Sequence, residues 1–339
     1  MQSPKTLLNS QAIVDEIFAY LQRCVADTVS EPAYARIIKS TLITIASKQN
    51  DVIVIPVLAC QAAGGNVDHA IPVAAAWFSF QIAARLLDDV EDGDINQKKY
   101  GNCTTPCIVN LSTGFMGIGN LILASLSDKL SAKQHSALVQ NFYRTMLDMS
   151  GAQHLDIIHA SIPDSDTYWR HIQGKSGAFF GVGVQSGAIC ATMNTSTLER
   201  YYKFGYHLGI ALQLVNDYHG FFSDGPHSDL AAGKRTAPIY FIEEFAPPSV
   251  TETAFTLLKQ AVYSQNARAR IRQIAQEQGA NLYLHAEIAR HRNLAALALS
   301  PVEDPDHVMQ QLLDRLVPIR DNHLAHSVIN HPAHSLSAP

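Results

Sequence analysis

Apolar positions recur every three to four residues through almost the whole chain, and residue-by-residue alternation is rare. The spacing predicts helices over 8–28, 32–47, 51–64, 67–93, 106–127, 131–152, 166–192, 196–221, 236–245, 249–278, 280–299 and 304–318. Only IIKSTLITIA and DVIVIPVLA read as strand, and both serve equally well as buried helix. Ser, Asp or Asn stands near several predicted starts, and Gly or Pro near several ends, as helix caps require. No repeat of fixed period and no long linker divides the chain. The pattern therefore predicts an all-α fold, a single large helical bundle over 1–320. The polar stretch 321–339, with four histidines and two prolines, reads as a flexible tail in preference to a metal-binding tract.

Composition narrows the class. Of the 339 residues, 47% are hydrophobic and 16% charged, against a usual charged share of about 25%. Disordered chains need the opposite balance. The net charge of −5 argues against a broad basic surface for nucleic acid. The N-terminal segment has no apolar core of a signal peptide, and a cytoplasmic protein is expected. The nearly uncharged run 61–82 contains Asp68, His69 and Pro72 and ends in acids, so it reads as a core helix and no membrane span is expected. Five cysteines, an odd number, give no disulfide framework. Cys103 and Cys107 form a C-x3-C pair, but zinc would need two further matched ligands, so structural cysteines are expected.

The stretch LLDDVEDGD closes the apolar segment 67–93. Asp88 and Asp92 are four apart and share a helical face, with Asp89 beside it. Like charges at this spacing repel, and acids at a helix C-terminus oppose its dipole. A solvated helix end is one explanation. A hard divalent cation, Mg2+ above all, would relieve the repulsion using carboxylate, water and phosphate oxygens.

A second polar group lies in LGIALQLVNDYHGFFSDGPHSDLAAGKRTAP. Gln213, Asn216, Asp217 and Gly220 have helical spacing, and Asp224 continues the face if the helix runs that far. Lys234 and Arg235 follow Gly233, and Lys175 precedes Ser176. Taken singly, these are a surface acid, a basic turn and a solvated lysine. Taken in order, two carboxylate clusters plus lysines suit a clamp in which two or three metal ions bridge a diphosphate.

These residues resemble the trans-polyprenyl synthetase (isoprenyl diphosphate synthase) superfamily over roughly 30–320. The DDxxD motif is met by Asp88, Asp89 and Asp92, and the K-[ST] motif by Lys175 and Ser176. The FQxxDDxxD motif is met in part by Gln213, Asn216 and Asp217, with Asn216 for its first aspartate and Gly220 for its last. The D-L-x-x-G-K-x-T-x-P segment is met by Asp229, Leu230, Gly233, Lys234, Thr236 and Pro238. The resemblance implies the isoprenoid-synthase helical bundle with a central active-site cavity, a prenyl diphosphate substrate, Mg2+ held by Asp88, Asp92, Asn216, Asp217 and Asp224, and a homodimer. Lys175, Gln213, Lys234 and Arg235 would meet the substrate. Trp77, Phe80 and Phe179 would face its carbocation, unless they are plain core aromatics. Ala83 and Ala84, before DDxxD, leave room for a fifteen- or twenty-carbon chain with Phe80 as its floor.

The departures point further. The family's GGKRxRP stretch survives only as Lys48, and its Arg-Arg-Gly as Lys98 and Lys99. Lysine is a point charge and cannot reproduce bidentate phosphate binding. Asn216, Gly220 and Asp224 partly echo the Asn-Ser-Glu triad of terpene synthases. The expectation is a class IB-like terpene synthase that ionises an allylic diphosphate and cyclises or quenches the cation. The alternative is a prenyl-elongating synthase that also binds isopentenyl diphosphate.

Overall fold

The computed structural model describes residues 10–46, 50–93, 103–159, 164–225 and 228–318. Lys48, Lys98, Lys99 and the expected tail 321–339 lie outside these residues. The described chain is helical throughout. In order come α1 (Ser10–Thr28), α2 (Pro32–Ala46), α3 (Asn50–Ile53), α4 (Ile55–Ala62), α5 (Val67–Glu91), α6 (Thr105–Ser125), α7 (Ala132–His159) and α8 (Ser165–Ile172). They continue with α9 (Ala178–Ile189), α10 (Thr195–Phe222), α11 (Ala237–Phe245), α12 (Pro248–Ala261), α13 (Gln265–Glu277), α14 (Ala280–Ala298) and α15 (Val308–Leu316).

Three expected helices are interrupted, each for a local reason. The segment 51–64 breaks at Val54, because Pro56 near the start of α4 has no N–H to continue a ladder from α3. The segment 249–278 divides into α12 and α13, where the Ser264 side chain caps the new start by accepting from the Ala267 amide. The segment 166–192 keeps its path but contains a π-helical turn, Gln173–Gly177, between α8 and α9.

Two compact units divide the chain. One takes in the described residues within 10–144, 182–205 and 298–316. Its centre is α5, which packs against α1, α4 and α6. Trp77 and Phe78 of α5 are fully buried, worth about 1.5–3 kcal/mol each in apolar burial. α9 comes so close to Trp77 that a Cβ at Gly183 would lie 2.6 Å from the indole ring. The α5–α6 pair is antiparallel, and Ser112 of α6 donates to the Ala83 carbonyl of α5 at 2.9 Å. Both α5 and the segment Thr105–Asp128 are long and apolar enough to cross a membrane, but 78% of the α5 window is buried in the protein, as in a core helix.

The other unit takes in the described residues within 145–181, 206–297 and 317–318. Its apolar cluster joins Phe221 of α10 and Leu230 to Ile239 and Ile242 of α11, Leu258 of α12 and Ile271 and Ile274 of α13.

Candidate active site

The first acidic group sits where α5 stops. Asn66 caps the start of α5, and twenty-five residues later the helix ends at Glu91. Asp92 is the C-cap, its amide bonded to the Asp88 carbonyl at 2.9 Å. Gly93 then turns the chain with φ +71°, a conformation that glycine adopts without a Cβ penalty. This stop leaves Asp88 and Asp89 half-buried and Asp92 exposed. A cleft of about 390 Å³ is lined by Glu16, Arg23, Asp68 and Lys129. Asp68 and Asp88 stand at opposite ends of α5, about 30 Å apart at 1.5 Å per residue, so that cleft is separate from the acids.

The acids offer only carboxylate oxygens. Among the described residues, no three His, Cys, Asp or Glu side chains converge to hold a metal by themselves. The donor set therefore fits a hard divalent cation that completes its shell with water and phosphate oxygens, and does not fit zinc.

The lysine group is built around the π turn. An extra residue enters the helix there, and the Ala178 amide reaches back to the Gln173 carbonyl. Lys175 donates to Gln153 Oε1 of α7 at 2.9 Å. Ser176 donates to Gln213 Oε1 at 2.9 Å, and Gln213 in turn donates to Asp217 Oδ1 at 2.9 Å. The Tyr168 hydroxyl of α8 donates to Asp217 Oδ2 at 2.6 Å, and the Ala237 amide donates to the same oxygen at 3.1 Å. Asp217 thus draws α8, α10 and the first residue of α11 onto one carboxylate.

Asp217 is 4% exposed. Burial raises its pKa, while the hydrogen bonds from Tyr168, Gln213 and Ala237 pull it down. Burial, and then the Asp217 charge, hold the Tyr168 phenol protonated far above its usual range. Asp217, expected among the metal ligands, has both oxygens engaged by protein donors.

The GKRT segment is fixed from Gly220. The Asp229 amide donates to the Gly220 carbonyl at 3.0 Å, and the Lys234 amide donates to the Asp229 carbonyl at 2.8 Å. The Asp229 carboxylate lies so close over the helix that a Cβ at 220 would fall 2.6 Å from its Cγ. The Asp229 carboxylate therefore lies directly over position 220. Gly233 takes φ +70° in the turn before Lys234.

Two expectations need correction. Asp224 does not continue a helical face with Asn216 and Gly220, because α10 ends at Phe222. Its exposed carboxylate instead pairs with Arg272 of α13. Arg235, expected to add charge for a diphosphate, pairs with Glu243 and lies over the rings of Tyr240 and Phe255, 4.8 and 5.0 Å from their centres. It anchors α11 and α12.

The aromatic candidates are all in packed surroundings. Trp77 is fully buried. Phe80 is 4% exposed, and its ring centre is 5.5 Å from that of Phe142. Phe179 meets Phe180 edge to face at 6.1 Å. Asn216 is half-buried on α10.

Sequence reasoning missed Tyr168 and the histidines behind it. Trp169, next to Tyr168, stacks on His291 of α14 at 6.0 Å. His291 Nδ1 lies 3.0 Å from His207 Nδ1, and Arg290 Nη2 lies 2.9 Å from His291 Nε2. Arginine only donates, so His291 Nε2 accepts and its proton sits on Nδ1, directed at His207. Burial, then Arg290 and His207, push the His291 pKa down to about 3. The signal in the sequence was slight, since no spacing relates positions so far apart.

This arrangement of helices belongs to the all-helical isoprenoid synthase fold. A polyprenyl synthetase structure from Streptomyces coelicolor A3(2) matches 93% of this chain and 100% of its own, with a TM-score of 0.77 at 19% identity. A polyprenyl synthase from Caulobacter crescentus CB15, complexed with calcium and isoprenyl diphosphate, matches 94% of this chain and 100% of its own, with a TM-score of 0.76 at 20% identity. The chain belongs to the polyprenyl synthetase family, whose profile matches residues 37–277. Curated relatives include the geranylgeranyl diphosphate synthase of Mycobacterium tuberculosis, 27% identical over 275 residues that cover 76% of this chain and 77% of the relative. The (2E,6E)-farnesyl diphosphate synthase of Mycobacterium bovis is 22% identical over 292 residues, covering 81% and 77%.

Proposed function

We propose that the chain is a prenyltransferase, which joins an allylic prenyl diphosphate to isopentenyl diphosphate. The observation that carries this reading is the family match over 37–277, together with relatives named as geranylgeranyl and farnesyl diphosphate synthases. In this reading Asp88, Asp89 and Asp92 would hold Mg2+ on the allylic diphosphate. Bound metal supplies Lewis acidity that stabilises the departing diphosphate. Lys175 and Lys234 donate charge-assisted hydrogen bonds to diphosphate oxygens. Gln213 orients Ser176, and Asp217 fixes α8 and the start of α11, each three residues from one of the lysines. We also propose a homodimer through α6. That helix carries no charged residue over Thr105–Ser125, yet leaves Val109 and Leu121 exposed.

One observation favours a second reading, the terpene synthase expected from the sequence. Lysines replace the family's arginines for isopentenyl diphosphate at 48, 98 and 99. With that substrate weakly held, the cation would be cyclised, quenched by water or deprotonated. One experiment separates the two. Purified protein with Mg2+ and ten-, fifteen- or twenty-carbon allylic diphosphates is assayed with and without isopentenyl diphosphate. Longer diphosphates formed only with isopentenyl diphosphate support prenyl transfer. A hydrocarbon or alcohol formed without it overturns prenyl transfer in favour of the second reading.

A further inference from the structure

Two thiols stand in contact at the start of α6. Cys107 Sγ lies 3.0 Å from Cys103 Sγ. Cys103 precedes the capping residue Thr104, and Cys107 is the third residue of the helix. One turn of backbone therefore separates them, near the span that a disulfide bridges. Cys103 is buried and Cys107 half-buried. The proposed active-site residues use neither, and no third ligand joins them among the described residues.

Their position relative to the acids follows from the antiparallel α5–α6 pair. The Ser112–Ala83 hydrogen bond sets the two helices level at those residues. Five residues further along α5 and five back along α6 bring Asp88 level with Cys107.

We propose that Cys103 and Cys107 form a redox-active dithiol, which closes to a disulfide across the first turn of α6 level with the acidic end of α5. The oxidant is a small soluble disulfide of the glutathione type. Cys107, the accessible thiol, attacks as thiolate, forms a mixed disulfide and expels one small thiolate. Cys103 then attacks the Cys107 sulfur and expels the second. Two electrons pass to the small disulfide, and the two protons lost by the cysteines end on the released thiols. Burial and the neighbouring Cys107 hold the Cys103 thiol up at about 11, so it is a poor nucleophile for the first attack.

The test needs no enzymatic assay. The full-length protein is equilibrated in buffers from fully reduced to fully oxidised glutathione, then acid-quenched and alkylated. Mass spectrometry of the intact chain and its peptides reads the outcome. The expected result is a peptide spanning 103–107 that is lighter by two hydrogens and resists alkylation, restored by a dithiol reductant. Cys24, Cys60 and Cys190 stay unlinked. Cys103→Ser is expected to trap a glutathione adduct on Cys107, and Cys107→Ser to abolish the linked peptide. Circular dichroism verifies that both variants are folded. Full alkylation of both thiols in the most oxidised buffer would overturn the proposal. So would an adduct trapped on Cys103 instead of Cys107.

Discussion

Replacing Gly220 by alanine tests how the GKRT segment is held. In an ordinary helix interior this change stabilises by about 0.5–1 kcal/mol, because glycine loses more backbone freedom on folding. Here the new Cβ would lie 2.6 Å from Asp229 Cγ and 2.9 Å from Oδ1. The Asp229 backbone cannot retreat freely, since its amide is bonded to the Gly220 carbonyl and its carbonyl receives the Lys234 amide. Overpacking of this kind costs about 1–3 kcal/mol, which outweighs the helix gain and reverses the sign. Gly220→Ala should therefore lower the urea midpoint at unchanged slope. It should also weaken diphosphate binding, measured by calorimetry with Mg2+ present, because Lys234 moves with Asp229. Adding Asp229→Ala to Gly220→Ala should recover part of the lost stability, a coupling that a double-mutant cycle isolates. Gly220→Asp, which restores the family's acid, should be worse than alanine, since it sets a second carboxylate against Asp229. A stabilised Gly220→Ala, or a more active Gly220→Asp, would refute this account of the loop.

Three other outcomes are expected. Tyr168→Phe should destabilise by about 1–3 kcal/mol and be visible in a thermal melt, because it removes a donor from the buried Asp217 oxygen; an unchanged melt would remove Asp217 from its central position. Asp92→Ala should abolish Mg2+-dependent turnover while leaving the circular dichroism spectrum unchanged, and near-normal turnover would end the metal assignment at α5. The unfolded His291 binds protons below its ordinary pKa of 6.5, while the folded side chain resists them down to about 3. Stability should therefore be full above pH 6.5 and fall as the pH drops toward 3, and His291→Gln should flatten that slope in urea titrations at stepped pH.

The helices and the acidic end of α5 were legible because each rests on local pattern. The amphipathic spacing, the Asn66 cap and the Gly93 stop all act within a few residues. The interruptions were harder to see. Ser264 looks like any serine until a second helix starts behind it, and the phase slip of the π turn is hidden because α9 beyond it is buried on nearly every side. The motif residues were found, but their partners were not. Asp217 read as a metal ligand because the sequence shows a carboxylate beside Asn216, while two of its three donors come from 49 residues before and 20 after. Gly220 read as a lost acid, since nothing in one dimension places Asp229 over it. Arg235 read as a free cation for the same reason, with Glu243 and two rings closing on it only in the folded chain.

The π turn at 173–177 has a consequence for how this chain is compared with any relative that lacks one. An α-helix advances about 100° per residue, so one inserted residue rotates everything after it by that angle while leaving the axis in place. Tyr168 and Ile172 keep the phase of α8, whereas Phe179 and Phe180 take the phase of α9. Lys175 stands on the slip itself, where neither phase rules. A gap-free superposition of sequences would therefore set the lysine against the wrong neighbour on one side or the other. Deleting a single glycine such as Gly174 would keep the motif's letters and rotate its lysine away from Gln153.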